Sequence, residues 1–174
     1  LGKVSASNGF SPNFGKKLLI QDNNSNKKYD INQTTLIKYQ DFWFDMSSIA
    51  KGYAVQKLHE YLLSNDLKNH LIDIGGEIII HGNNKSIAWV VGIQDPTNKK
   101  DKPIITISNK DSSFLAIATS GEYRNYRYAD GETITHTLDP STNKSINNNL
   151  QSITVASQIS ATLADAYATA INVM

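Results

Sequence analysis

The segment Ser160–Met174, with the sequence SATLADAYATAINVM, decides most of the fold that the chain can adopt. It predicts a helix, because alanine is the strongest helix former and apolar residues lie on every side of the axis. Four polar side chains recur at steps of three and four: Thr162, Asp165, Thr169 and Asn172. A helix places such residues in one stripe. Since an unpaired buried carboxylate is costly, the stripe indicates a satisfied polar seam, a solvent-facing side, or ligands for a hard cation such as Mg²⁺.

The composition is that of a globular chain of one domain. Of the 174 residues, 40% are apolar and 19% are charged, which is ordinary for a soluble fold. The net charge of +1 gives no electrostatic basis for a nucleic-acid partner, so we expect none. Cysteine is absent, which excludes disulfides, thiolate metal sites and thiol nucleophiles.

Short segments bounded by Gly, Asn, Asp or Pro predict strands in hairpin order. They are Lys16–Gln21, Lys28–Ile31, Thr35–Tyr39, Asp41–Phe44, Leu71–Ile74, Glu77–His81, Ile87–Ile93, Ile104–Ser108, Phe114–Thr119, Arg124–Tyr128, Thr133–Leu138 and Ser152–Ala156. A further helix is predicted from Ser47 or Ser48 to about Asp66, capped by Asp45, Ser47 or Ser48. The pattern predicts an α+β fold, with a largely antiparallel sheet and the helices packed on one side.

Two segments combine polar side chains with a turn or a helix start. The first is the helix start after Asp45, where unpaired backbone N–H groups, the Ser48 hydroxyl and the Lys51 ammonium suit a phosphate. The alternative is a plain cap with a solvated lysine. The second is Leu71–Glu77, an apolar strand that ends in paired glycines. These indicate a tight turn or a close approach of the backbone to a ligand, and no G-x-G-x-x-G motif or following helix supports a dinucleotide fold.

His136 stands between threonines on a predicted strand, just before the turn at Asp139-Pro140. The position suits a general base or a ligand contact, and the alternative is a structural histidine. The remaining histidines lack such surroundings and are predicted to lie at the surface or at strand edges: His59, His70 and His81.

Five motifs in chain order resemble those of the ApbE family. They are DMSSIAKGYAV at 45–55, DIGGE at 73–77, ATSGEYR at 118–124, HTLDPST at 136–142 and ADAYATA at 164–170. The resemblance implies the T-fold-related α+β core of this family, as a single domain over residues 1–174 that is truncated at both ends relative to the family. Gln56 stands where the family commonly has an aspartate.

Members of this family are FAD:protein FMN transferases. The resemblance implies Mg²⁺ as cofactor and FAD as substrate, with the hydroxyl of a target threonine in an acceptor protein attacking the FMN-side phosphorus while AMP leaves. Some members use water instead, as FAD pyrophosphatases that give FMN and AMP. A non-catalytic flavin-binding protein is the third alternative.

The resemblance also implies a role for individual residues. By position in the motifs, these are Ser48, Asp165 and Thr169 for the metal; Asp45, Lys51, Thr137 and Leu138 for FAD; and His136 as the base that activates the acceptor hydroxyl. It further implies an acceptor such as a subunit of a membrane redox complex. The expected location is the bacterial periplasm or the outer face of the inner membrane, with a membrane anchor through a lipid on a missing N-terminal segment.

Overall fold

The computed structural model describes residues 28–39, 44–97, 102–111, 113–121, 126–129, 132–142, 144–146 and 149–174. The chain divides into two compact units, a small one that ends at Asp45 and a large one over Met46–Met174. In the small unit, β1 (Tyr29–Ile31) pairs with β2 (Leu36–Lys38) as an antiparallel hairpin. The predicted strand Lys16–Gln21 lies outside the described residues, and one domain over residues 1–174 stays a prediction.

The large unit alternates short strands with two helices over its described residues. In chain order the elements are α1 (Ala50–Ser64), β3 (His70–Ile74), β4 (Glu77–His81), β5 (Asn83–Asn84), β6 (Ile87–Ala88), β7 (Val90–Gln94), β8 (Pro103–Ser108), β9 (Leu115–Gly121), β10 (Tyr126–Ala129), β11 (Glu132–Thr135), β12 (Ser152–Ser157) and α2 (Ala161–Val173). The main sheet has the order β12-β9-β4-β3, with every neighbouring pair antiparallel. Within the described parts, neither helix has the length and hydropathy that a bilayer crossing requires.

One face of the main sheet is covered by both helices. Ile79 of β4 and Ala116 of β9 are fully buried there against Val55 of α1 and Ala161 of α2. Successive side chains of a strand point to opposite faces, so every second residue of β4 and β9 points toward the helices. The predicted α+β fold, with a largely antiparallel sheet and the helices on one side, is confirmed.

The opposite face of the sheet packs on the hairpin of β7 and β8. The buried residues of this second cluster are Ile80, Val91, Ile93, Leu115 and Ile117. The sheet is therefore a middle layer between helices and a hairpin. Because the sheet itself lies between its two faces, side chains from the two faces can meet only at its ends or edges.

Helix α1 begins later than predicted and without the predicted cap. Its N-cap is Ile49, which makes no side-chain capping hydrogen bond, so the cap by Asp45, Ser47 or Ser48 is wrong. The backbone closes this turn instead, because the N–H groups of Ile49 and Ala50 both donate to the Met46 carbonyl, at 3.0 and 2.8 Å.

The predicted strand Ile87–Ile93 is divided at Trp89 into β6 and β7. The Trp89 backbone N–H donates to the buried Asn109 side chain at 3.0 Å, and its indole N–H donates to the His81 carbonyl at 3.2 Å. These long-range bonds take the place of ladder bonds at this residue. The predicted strand Thr133–Leu138 likewise ends at Thr135 as β11, and Leu138 forms an isolated bridge with Ser145.

Three histidines form a cluster between α1 and the β3–β4 edge. His59 is only 6% exposed within α1, so its predicted position at the surface or a strand edge is wrong, whereas His70, 8% exposed, begins the edge strand β3 as predicted. The Nδ1 atoms of His70 and His81 lie 2.7 and 2.6 Å from the carbonyls of Leu67 and Lys68. Since carbonyls only accept, both Nδ1 atoms carry the proton. His59 Nδ1 then donates to His70 Nε2 at 2.8 Å.

We expect this cluster to make the fold sensitive to acid. Burial first, and then the neighbouring His70 and His81, lower the pKa of His59 from 6.5 to about 4. Between pH 6.5 and about 4, His59 is therefore protonated in the unfolded chain and neutral in the folded chain. The free energy of unfolding should fall by up to about 3 kcal/mol as the pH decreases from 6.5 to 4.

Urea denaturation across this pH window measures the effect. A His59→Leu variant should lose less stability than the parent chain over the same window, because the titrating group is gone. Equal losses in the two proteins would contradict the assignment.

Candidate functional site

A cavity of about 740 Å³ opens at the end of the main sheet where β4 begins and β9 finishes. Its volume lies within the range of about 300–1,000 Å³ that is typical of small-molecule sites. Both covering layers contribute to it. The polar side chains that line it include Lys51 of α1, Glu77 of β4, Ser120 of β9, His136, and Asp165 and Thr169 of α2.

Asp165 joins this cavity to the contact between the two helices. Its side chain is 3% exposed, and its Oδ2 accepts a hydrogen bond from the Gly52 backbone N–H at 2.8 Å. Burial raises the pKa of Asp165, while the Gly52 N–H and then the Lys51 charge act in the opposite direction. Gly52 is required here, because a Cβ would lie 2.5 Å from the Ala161 carbonyl oxygen.

The polar stripe of α2 points into the protein. Asp165 and Asn172 are buried, and Thr162 and Thr169 are half-buried, so the solvent-facing alternative is excluded. Thr169 Oγ1 lies 3.2 Å from Ser120 Oγ on β9. The stripe therefore lies on the inner side of α2, and its Asp165 and Thr169 side chains line the cavity.

The oxygens at this wall fit a hard cation. Asp165 offers a carboxylate, and Thr169 and Ser120 offer hydroxyls, which are the donor types that Mg²⁺ accepts. A cation would also offset the burial that raises the pKa of Asp165. Over the described residues, no three His, Cys, Asp or Glu side chains are grouped to hold a metal. Such an ion would therefore need hydroxyl oxygens, or oxygens of a bound ligand, to complete its shell.

The paired glycines form the tight turn between β3 and β4, which was one of the two predicted roles. Gly75 and Gly76 adopt φ values of +62° and +100°, and the Asp73 carboxylate accepts the Gly76 N–H at 2.9 Å. Both glycines also line the cavity, so the turn brings backbone close to any ligand there.

An ion pair ties α1 to this turn. Lys51 Nζ lies 2.5 Å from Glu77 Oε2 and 3.4 Å from the Gly75 carbonyl oxygen. The Glu77 side chain is 3% exposed, whereas that of Lys51 is 46% exposed. Burial raises the pKa of Glu77, Lys51 opposes that rise through its hydrogen bond and its charge, and Asp165 adds to it.

The backbone at the start of α1 differs from the predicted anion site. The N–H groups of Ile49 and Ala50 donate to the Met46 carbonyl, and that of Gly52 donates to Asp165. These three groups are therefore not available to a phosphate. In the first turn of α1, the Lys51 ammonium is the group whose chemistry suits an anion in the cavity.

The structure brings together only part of the predicted site. Lys51, Asp165, Thr169 and His136 all line the cavity. His136 is exposed and follows β11 directly. These positions agree with a shared site, and the individual roles stay predictions.

The other predicted site residues are not among those that line the cavity. Ser47 lines the cavity, and Ser48 does not. Thr137 and Leu138 are also absent from its wall; the Thr137 carbonyl accepts the Ile146 N–H at 3.1 Å. Asp45 ends the small unit, and its role toward FAD stays a prediction.

Glu77 and Ser120 are cavity residues to which the sequence analysis gave no role. In the sequence, Glu77 is an acidic residue directly after a glycine pair, and a tight turn there determines the direction of its side chain. Ser120 was visible only as a hydroxyl within the motif at 118–124, and the position of β9 in the sheet brings it to Thr169 on α2.

Comparison with known proteins relates the chain to one family. Residues 15–174 match the model of the ApbE family. An FAD:protein FMN transferase of Vibrio cholerae is 38% identical over 135 residues, which are 77% of this chain and 39% of that protein. The chain thus spans about two-fifths of the length of this curated relative.

Solved structures share the fold. The crystal structure of an ApbE protein from Thermotoga maritima superposes with a TM-score of 0.72 at 33% identity, covering 84% of this chain and 47% of its own. The flavin transferase ApbE from Vibrio cholerae superposes with a TM-score of 0.73 at 30% identity, covering 99% of this chain and 56% of its own.

We expect the Gly52→Ala substitution to destabilise the chain. The added Cβ would lie 2.5 Å from the Ala161 carbonyl oxygen and 2.6 Å from the Asp165 Cβ, so the helices would have to separate. The cost of such overpacking is about 1–3 kcal/mol, and against backbone atoms only 2.5 Å away we expect the upper part of that range, which exceeds the gain of roughly 1 kcal/mol in helix propensity. Urea denaturation measures the balance, and a variant more stable than the parent chain would contradict the close contact.

Proposed function

The chain belongs to the ApbE family, and on that premise we propose that its cavity binds FAD and supports Mg²⁺-dependent transfer of FMN to a threonine hydroxyl of an acceptor protein. AMP is the second product. The observation that carries the proposal is the meeting of a buried carboxylate, hydroxyls and an ammonium around one cavity of about 740 Å³. The names of the relatives support the flavin chemistry.

Asp165 and Thr169 are the residues that would hold Mg²⁺ in this cavity, whereas Ser48, the third residue that the resemblance implies, is not among the residues that line it. When bound, the ion neutralises charge on the phosphate oxygens and so lowers the barrier to phosphoryl transfer. The Gly52 N–H fixes Oδ2 of Asp165, so the carboxylate has a defined orientation before any ligand arrives.

The other residues of the cavity position the reactants. The Lys51 ammonium pairs with the diphosphate of FAD, and the apolar wall of β7 and β9 excludes water from one side of the site: Val91, Ile93 and Ile117. His136 takes the proton of the acceptor threonine as its oxygen forms a bond to the FMN-side phosphorus. The bond between this phosphorus and the bridging oxygen breaks, and AMP leaves with that oxygen.

The acceptor that we propose is a subunit of a membrane redox complex, and the location is the periplasm or the outer face of the inner membrane, through a lipid anchor. These proposals rest on the resemblance in sequence. A full-length sequence that lacks an export signal would contradict the location.

Mass spectrometry tests the proposed reaction. The chain is incubated with FAD, Mg²⁺ and a threonine-containing acceptor, and the proposal expects the acceptor to gain the mass of an FMN phosphoester while AMP accumulates. Free FMN and AMP with an unmodified acceptor would identify a pyrophosphatase instead. Bound but unchanged FAD would identify a flavin-binding protein.

We expect Asp165→Asn to abolish most of the Mg²⁺-dependent turnover while preserving the fold. The amide oxygen can still accept the Gly52 N–H, but the negative charge toward the cation is lost. The rate of AMP release should fall at least about a hundredfold, the size of losing one electrostatic contact to the reacting group. An Asp66→Asn variant, with the same change of charge in the exposed loop after α1, is the control. A normal rate at the same Mg²⁺ concentration would contradict the metal assignment.

We expect His136→Ala to reduce the rate of FMN transfer by about 10²–10⁴-fold, the typical contribution of a positioned base. FAD affinity should stay close to that of the parent chain, because other groups hold the cofactor. Since His136 is exposed, added imidazole should restore part of the rate. A variant with a normal rate, or one that loses FAD binding together with the rate, would remove the base assignment.

A further inference from the structure

We propose that Glu77 is a positioning residue, which holds the Lys51 ammonium at the cavity wall in the place where a diphosphate binds. The proposal rests on the proposed function, since it concerns the same cavity. It assigns a task to a buried carboxylate that the transfer reaction described above does not use.

The geometry fixes an otherwise flexible side chain. Lysine has many rotamers, and almost half of the Lys51 side chain is exposed. Its Nζ nevertheless forms an ion pair with Glu77 Oε2 at 2.5 Å and donates a hydrogen bond to the Gly75 carbonyl at 3.4 Å. The ammonium is therefore held against the wall of the cavity before a ligand binds.

Glu77 is itself on a rigid support. It is the first residue of β4, which pairs with β3 on one side and with β9 on the other. The turn before it is fixed by the hydrogen bond from the Gly76 N–H to Asp73. A side chain on such an element can set the position of a partner more precisely than one on a loop.

Stability alone is a poor reason for this ion pair. The free-energy penalty of removing a carboxylate from water offsets much of its attraction to an ammonium. The nearby Asp165 makes the burial of a charged Glu77 less favourable still. Lys57 and Glu60 form an equally short pair, at 2.6 Å, on the exposed surface of α1. That pair lies outside the cavity, so it provides a matched control for the same chemical change.

A double-mutant cycle with ADP as the probe tests the proposal. Glu77→Gln, Lys51→Met, the double variant and the control Glu60→Gln are compared with the parent chain by titration calorimetry in Mg²⁺. Losing one charge-assisted hydrogen bond corresponds to roughly 10–100-fold in affinity. We expect Glu77→Gln and Lys51→Met each to weaken ADP binding by about 10–100-fold. The double variant should be no weaker than Lys51→Met, and Glu60→Gln should bind as the parent does.

Turnover of FAD gives a second readout. Glu77→Gln should raise KM more than it lowers kcat, because Lys51 contacts the diphosphate before and during the reaction. Glu77→Asp, which keeps the charge on a shorter side chain, should lie between the parent and Glu77→Gln. It also serves as the test variant if Glu77→Gln does not fold. Unchanged or tighter ADP binding by Glu77→Gln, or effects that add in the double variant, would overturn the proposal.

The two proposals can fail separately. A parent chain that binds ADP but does not convert FAD overturns the proposed function alone, and the binding cycle still decides the role of Glu77. A parent chain that converts FAD while Glu77→Gln matches it in KM and in ADP affinity overturns the positioning role alone. If the parent chain does not bind ADP, the positioning role is overturned whether or not the chain converts FAD, because Lys51 then holds no diphosphate.

Discussion

The hydrogen bond from the Gly52 N–H to the Asp165 carboxylate is the contact on which both the fold and the site depend. It joins α1 to α2 at 2.8 Å, and one turn further along α1 the Gln56 amide oxygen accepts the Ala161 N–H at 2.9 Å. Gln56, which departs from the family pattern, therefore satisfies the N–H of the first residue of α2, beside the N-cap Ser160. Asp165 also lines the cavity, so the same carboxylate holds the two helices together and can contact a bound ligand. Changes at this position should affect stability and chemistry together, and they can be separated only by an isosteric substitution.

The charges at the cavity explain what kind of ligand suits it. Among the residues that line the cavity are two buried carboxylates, those of Glu77 and Asp165, the exposed carboxylate of Asp73, and the ammonium of Lys51. Burial raises the pKa of both buried carboxyl groups, so their ionised forms need positive charge nearby. A divalent cation would supply that charge, and it would in turn accept oxygens of an anionic diphosphate. The wall is thus better matched to a metal and a phosphate ester together than to either alone.

The sequence predicted the features that depend on local pattern and missed those that depend on distant partners. The period of α2 fixed the positions of Asp165 and Thr169, and the glycine pair indicated the β3–β4 turn. The histidine cluster could not be foreseen, because His59 and His70 are buried only by the packing of a helix on a strand. The start of α1 was misplaced for a similar reason, since backbone bonds to Met46 replaced the expected side-chain cap.

The crystal structure of the chain with FAD and Mg²⁺ bound tests the central claim most directly. We expect the diphosphate in the cavity, within hydrogen-bonding distance of Lys51 Nζ, and the ion on the oxygens of Asp165 and Thr169. A diphosphate bound outside this cavity, or an ion coordinated without Asp165, would contradict it.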